Sequence, residues 1–197
     1  MVTLDDVKVL REETGISIME CKKALEEAGG DFDKARALLR KQGAKIAAKK
    51  AERKLGSGVV ASYIHSDNKL GVLVEVLSET DFVARNDDFR ELANDIAMHI
   101  AALSPEYVKD ADVNPEERAR VRAEFAEQDE VKQKPENIRE KIIEGKTDAY
   151  FKEKVLLRQP FVKNGDITVE ERIQQATQKT GEKIEVVRFV RMGLLGR

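Results

Sequence analysis

Tryptophan is absent from the 197 residues, aromatic side chains amount to 5%, and cysteine is confined to Cys21. A lone cysteine excludes an internal disulfide and fits a reducing cytoplasm. The two histidines, His65 and His99, are far from each other and from Cys21 in sequence, so no zinc-ligand spacing exists. Neither Gly-x-x-x-x-Gly-Lys-[Ser/Thr] nor Gly-x-Gly-x-x-Gly occurs, and with them goes any recognisable phosphate cradle. No window approaches the roughly 20 apolar residues of a membrane helix. The start, Met1-Val2-Thr3-Leu4-Asp5-Asp6, has neither the basic segment nor the apolar run of a secretory leader. A formal net charge of −2 offers no global attraction to nucleic acid or an anionic membrane. These absences predict a cytoplasmic protein that is no enzyme, holds no cofactor or metal, and meets neither membrane nor nucleic acid directly.

What is abundant is charge. Asp, Glu, Lys and Arg make up 37% of the chain, which suits many helices with solvated faces. Residues 1–42 read as a three-helix domain punctuated by glycines. Thr3 caps the first helix, and Ser17 with Glu20 forms a capping-box pattern for the second. Asp31 opens the third, where Phe32, Ala35, Leu38 and Leu39 recur at helical spacing before Gly43. The inner face of the second helix is expected to carry Ala24 and Leu25 with Ile18 or Met19. Ile18 is favoured as core. Residues 43–57 are expected to be a basic helical linker: the stretch from Lys41 to Lys54 holds six positive charges against one negative. No aromatics interleave them, so a solvated face is favoured over a nucleic-acid patch.

Residues 58–197 predict an α+β core. Val59–His65 and Leu70–Leu77, joined by the polar turn Ser66-Asp67-Asn68-Lys69, read as an antiparallel hairpin whose second strand is largely buried. A helix capped by Asn86 follows, with an apolar stripe at Phe89, Leu92, Ala93, Ile96, Ile100 and Leu103. His99 borders that stripe and reads as a hydrogen-bonded structural residue, whereas His65 reads as exposed. Residues 115–154 are charged and helical in composition, interrupted at Lys134-Pro135 and at Gly145. Their thin apolar seams, around Val121 and Phe125 and at Ile138, Ile142 and Ile143, predict a protruding helical hairpin. Turns follow at Gln159–Val162 and Asn164–Asp166, then a helix from Thr168 through Thr180. The β-prone run from Lys183 to Val190 is expected to return to the hairpin as the third strand of an antiparallel sheet.

Between the second strand and the helix after it lies Glu79-Thr80-Asp81-Phe82-Val83-Ala84-Arg85. A large aromatic beside a carboxylate, on a short connector between two rigid elements, sits where scaffolds display function. The bland reading is that Phe82 and Val83 only staple the helix onto the sheet.

The wording of the chain bears on that choice. Thr80-Asp81-Phe82-Val83-Ala84-Arg85 resembles the signature of bacterial-type elongation factor Ts, here in a short form with a single core half. Two further stretches resemble that family in order: Thr14-Gly15-Ile16-Ser17-Ile18-Met19-Glu20-Cys21-Lys22-Lys23-Ala24-Leu25, and Gln159-Pro160-Phe161-Val162 followed by Val187-Arg188-Phe189. The chain departs from the usual pattern at Ile16-Ser17-Ile18, where a small residue, glycine and methionine are usual, and at Glu20, which replaces an aspartate. The resemblance implies a ubiquitin-associated-type fold for the first three helices and a guanine-nucleotide exchange factor that binds elongation factor Tu. It implies that Thr80, Asp81, Phe82 and Val83 form the partner-binding tip that dislodges Mg²⁺ and GDP, with Met19 and Lys22 as a second contact. Longer members duplicate the core half, so a homodimer is expected. The reading of a different class is a non-catalytic adaptor or assembly module, whose three-helix domain binds other proteins and whose helical arm mediates assembly, and which would bind the GTPase equally with or without GDP.

Overall fold

Short polar side chains fix the starts of the first three helices. In the computed structural model, which describes residues 2–196, the Thr3 hydroxyl accepts the Asp6 N–H at 3.2 Å and the Asp6 carboxylate accepts the Thr3 N–H at 2.8 Å. This reciprocal cap opens α1 (Leu4–Thr14), and Gly15 at φ 68° closes it. Ser17 caps α2 (Ile18–Glu27), accepting the Glu20 N–H and donating to the Glu20 carboxylate at 2.9 Å. Asp31 caps α3 (Phe32–Lys50) through the Lys34 N–H. Leu10, Ile16, Cys21, Leu25, Ala35 and Leu39 form their shared core. Ile18, expected inside, is 54% exposed. Ile16, brought in by the turn at Gly15, is buried there instead, and Cys21 continues the inner face that Ala24 and Leu25 define.

The third helix does not stop at Gly43; it runs unbroken to Lys50, so the basic run supplies its last turns. Gly43 is buried because another helix, Val169–Thr180, passes close by. A Cβ on Gly43 would lie 3.1 Å from Gln178 Oε1 and 3.7 Å from the Gln174 carbonyl oxygen. The glycine marks close helix approach, not a helix end.

β1 (Ser57–Ile64) and β2 (Leu70–Ser78) form the expected antiparallel hairpin. Asn68, at φ 58°, makes the left-handed step of the turn, a conformation asparagine tolerates. β2 is buried on one face only: Val72, Val74, Val76 and Ser78 point inward, while Leu73 is exposed. The run looks continuous in sequence because apolar residues also occupy its outer positions. Then come α4 (Asp81–Ala84), a single turn, and α5 (Asp87–Leu103), whose first turn is capped by the Asn86 side chain accepting the Asp88 N–H at 2.8 Å. Phe89, Leu92, Ala93, Ile96 and Ile100 are buried as the stripe predicts, and His99 is buried with them; Leu103, at the helix end, is exposed.

Two units emerge, one holding the chain up to Ala101 and again from Glu170, the other holding Ala102–Val169. The second contains α6 (Pro115–Ala126), the short α7 (Asp129–Lys132) and α8 (Glu136–Lys154). Pro135 stands at the N-cap position of α8, where its carbonyl accepts the Arg139 N–H at 2.9 Å, but Gly145 does not interrupt the helix. Val113, Val121, Phe151 and Val155 make a small core. Ile143 is buried while Ile138 is exposed, so the seam on α8 runs through Ile143, Thr147 and Phe151. The two turns expected after residue 158 are a small antiparallel ribbon, β3 (Pro160–Phe161) with β4 (Asn164–Thr168).

Back in the first unit, α9 (Val169–Thr180) ends at Gly181, φ 76°, and β5 (Ile184–Gly193) pairs antiparallel with β2, giving the strand order β1-β2-β5. The fold class is α+β, with a three-stranded antiparallel sheet and nine α-helices among the described residues.

Candidate functional site

The connector after β2 forms where the β2–β5 ladder runs out. Its last pair is Ser78 opposite Ile184. Beyond it the backbones diverge, and side chains carry the pairing further. The Glu79 carboxylate accepts the Lys183 N–H at 2.6 Å and the Arg53 guanidinium at 3.1 Å. From the other segment, the Glu182 carboxylate accepts both the Thr80 N–H at 3.0 Å and the Thr80 hydroxyl at 2.6 Å. Ser78, fully buried, donates its hydroxyl to the Thr80 carbonyl at 3.0 Å. The hydrogen bond from Lys183, ahead of the Arg53 charge, holds the Glu79 carboxyl below the usual carboxylate range.

Thr80 stands at the N-cap of α4 in extended conformation, yet its side chain makes no capping bond, since its hydroxyl is engaged by Glu182. Asp81 pairs with Arg85 one turn on, at 2.6 Å, with both side chains mostly exposed. Such a pair stabilises little in water and is open to exchange for another partner. Val83 and Ala84 are buried, fastening the turn to the sheet. Phe82 does the opposite. It is 84% exposed, beside an open hollow lined by Phe82, Arg85, Asn86, Asp87 and Asp88.

Of the two residues that could have stapled the turn, only Val83 does so. The turn is anchored from both sides, so the Phe82 ring is held out in solvent by a fixed backbone. The turn therefore offers an apolar wedge with a carboxylate beside it and four polar or charged side chains around the hollow.

Met19 lies 82% exposed on α2 with Lys22 one turn on, the latter ion-paired to Glu26 at 3.7 Å. Ile18 is exposed beside them, which sequence reasoning missed. α2 is held near the rest of its unit by Glu20, whose carboxylate accepts from Gln42 and from Gln178, each at 3.0 Å. The structure thus places Thr80, Asp81, Phe82 and Val83 on one turn, and Met19 and Lys22 on a different element. Sequence reasoning placed Glu79 in the connector without giving it a role, and it missed Glu182. Only their flanking of the turn-forming ends of two strands could have hinted at their roles.

Cys21 is buried, and burial pushes its thiol pKa up, making it unreactive. The Tyr63 hydroxyl lies 3.2 Å from His65 Nδ1 at the exposed hairpin end. Among the described residues, no group of three or more His, Cys, Asp or Glu side chains could hold a metal ion. Likewise no described helix is long and apolar enough to cross a membrane.

The fold and the turn together define a class of protein, an α+β scaffold that exposes an aromatic side chain beside a carboxylate on an anchored turn. Comparison with known proteins makes this particular. The family model described as Elongation factor TS matches residues 12–195. Elongation factor Ts of Thermosipho melanesiensis is 50% identical over 191 residues, spanning 97% of this chain and 97% of that protein. The Heliobacterium modesticaldum protein of that name is 50% identical over 194 residues, 98% of this chain and 90% of its own length. That of a Synechococcus strain is 53% identical over 189 residues, 95% of this chain and 67% of its own. The chain belongs to the elongation factor Ts family and is a translation elongation factor.

Proposed function

We propose that this chain is a guanine-nucleotide exchange factor that binds elongation factor Tu, inserts Phe82 near the bound Mg²⁺, promotes GDP release and stays bound until GTP enters. The observation that carries this reading is the exposure of Phe82 on a turn whose neighbours Val83 and Ala84 are buried. Exchange needs no reactive group of its own. The factor must prefer the nucleotide-free partner, and linkage then weakens nucleotide binding to the complex by the same factor. Burying one phenylalanine contributes roughly 1.5–3 kcal/mol. At about 1.4 kcal/mol per tenfold, that wedge accounts for about a ten- to hundredfold effect. Asp81 contributes by leaving Arg85 for a partner group, Thr80 and Val83 by shaping the turn, and Met19 and Lys22 by a second contact on the same partner.

The chain is read as an N-terminal module of ubiquitin-associated type (1–42), a basic connector (43–57) and a core (58–197) working in the cytoplasm, with no membrane or direct nucleic-acid partner. A second copy of the chain completes the assembly. What supports a homodimer is the outer sheet face: strand register puts Ile64 and Met192, then Leu73 and Val190, then Val60, on one side, all exposed. Two such faces packed together would form a sandwich about 10 Å thick. Light scattering at micromolar concentration is expected to give twice the chain mass, and a monomer would contradict the dimer. The exchange reading is tested by GDP release from elongation factor Tu with and without this chain; an unchanged release rate would refute it.

A further inference from the structure

Glu182 takes both donors that Thr80 has. The bond geometry is that of a bidentate clamp: one oxygen at 2.6 Å from the hydroxyl, the other at 3.0 Å from the backbone N–H. A reciprocal bond runs beside it, from the Lys183 N–H to the Glu79 carboxylate at 2.6 Å. The two carboxylates thus replace the backbone ladder at the two steps after Ser78–Ile184, where β2 leaves for the turn. A freed Thr80 hydroxyl would turn to the ordinary capping position, accepting an N–H from the first turn of the following helix, as threonine does at most helix starts. By taking both the hydroxyl and the backbone N–H, Glu182 ties Thr80, extended at φ −127° and ψ 158°, to the segment that enters β5. That geometry sets the direction in which Asp81 and Phe82 leave the sheet.

We infer that Glu182 is a positioning residue for exchange: it does not touch the GTPase but holds the Thr80 end of the turn so that Phe82 is presented in one orientation. The reason such a device matters is that a wedge works only if its orientation is set before docking. A turn free to swing would have to be ordered on binding, at a cost in the maximal rate. This inference rests on the exchange reading above. It adds a residue more than a hundred positions away in sequence that no partner-facing argument would select.

The test is release of a fluorescent GDP analogue from elongation factor Tu, titrated with wild-type chain, Glu182→Ala, Phe82→Ala and the double variant. Glu182→Ala is expected to lower the maximal release rate about tenfold, with the half-saturating concentration changing less. In the Phe82→Ala background, Glu182→Ala is expected to change the rate by less than about twofold, because the group it orients is gone. Glu182→Gln, which keeps one acceptor oxygen, is expected to fall between wild type and Glu182→Ala, and it decides the matter if the alanine variant loses its circular-dichroism signal. A slow Phe82→Ala with a wild-type Glu182→Ala or Glu182→Gln would overturn the clamp and leave the exchange reading standing. So would losses that multiply in the double variant. A Phe82→Ala variant as fast as wild type would overturn both.

Discussion

The helix behind the turn and the helical hairpin of the second unit hold themselves together in different ways. α5 buries Phe89, Leu92, Ala93, Ile96 and Ile100 along its length. α6, twelve residues long, buries Val121 alone, and α8 buries Ile143, Thr147 and Phe151. The hairpin makes up part of the difference with charge and rings. Arg118 lies 4.6 Å over the Phe151 ring, Arg158 pairs with Asp148 at 2.8 Å and Asp110 at 3.2 Å, Lys146 pairs with Glu130, and the Tyr107 hydroxyl donates to Glu117. A dry face gives a rigid platform suited to presenting a wedge, whereas a thin seam with ion pairs gives a unit that yields first.

If that contrast is right, the largest effect comes from emptying the platform. Phe89→Ala is expected to cost roughly 3–5 kcal/mol in a denaturant titration, since the ring is almost wholly buried. A smaller loss follows in the hairpin. Val121→Ala is expected to cost roughly 1–3 kcal/mol, with early loss of hydrogen-exchange protection confined to residues 102–169. Equal loss of protection in α5 would break the comparison.

The smallest effect is one of pH. The hydrogen bond to Glu117, then burial, raises the Tyr107 pKa from 10.0 to about 12. The folded state thus keeps a proton that the unfolded chain releases at lower pH. This contribution is whole below pH 10 and is lost as pH rises to about 12. Tyr107→Phe is expected to flatten the alkaline fall in stability of the hairpin unit, read by its unfolding midpoint from pH 9 upward; an unaltered slope would remove Tyr107 from the account.

Much of this was legible in the residues. Capping side chains at Thr3, Ser17, Asp31 and Asn86 and the stripe on α5 are local signals, and each element formed where they lay. Signals failed where a distant segment decided the outcome. Gly43 reads as a stop until the helix containing Gln174 and Gln178 is seen beside it. Ile18 reads as core until Ile16 is found occupying that end. At the turn, the composition of residues 79–85 marked a display site, but whether Phe82 faced outward depended on Val83 and Ala84 taking the inner positions. Glu182 was invisible because its partner Thr80 is far away in sequence.

The central claim is that an exposed Phe82, and not covalent chemistry, loosens a partner's hold on its nucleotide. Phe82→Ala measures this most directly, in release of fluorescent GDP from elongation factor Tu alongside a thermal unfolding curve. The account predicts an unfolding midpoint close to wild type, because the ring contributes little to the fold, and release slowed about tenfold or more. Wild-type release by the folded variant would contradict it.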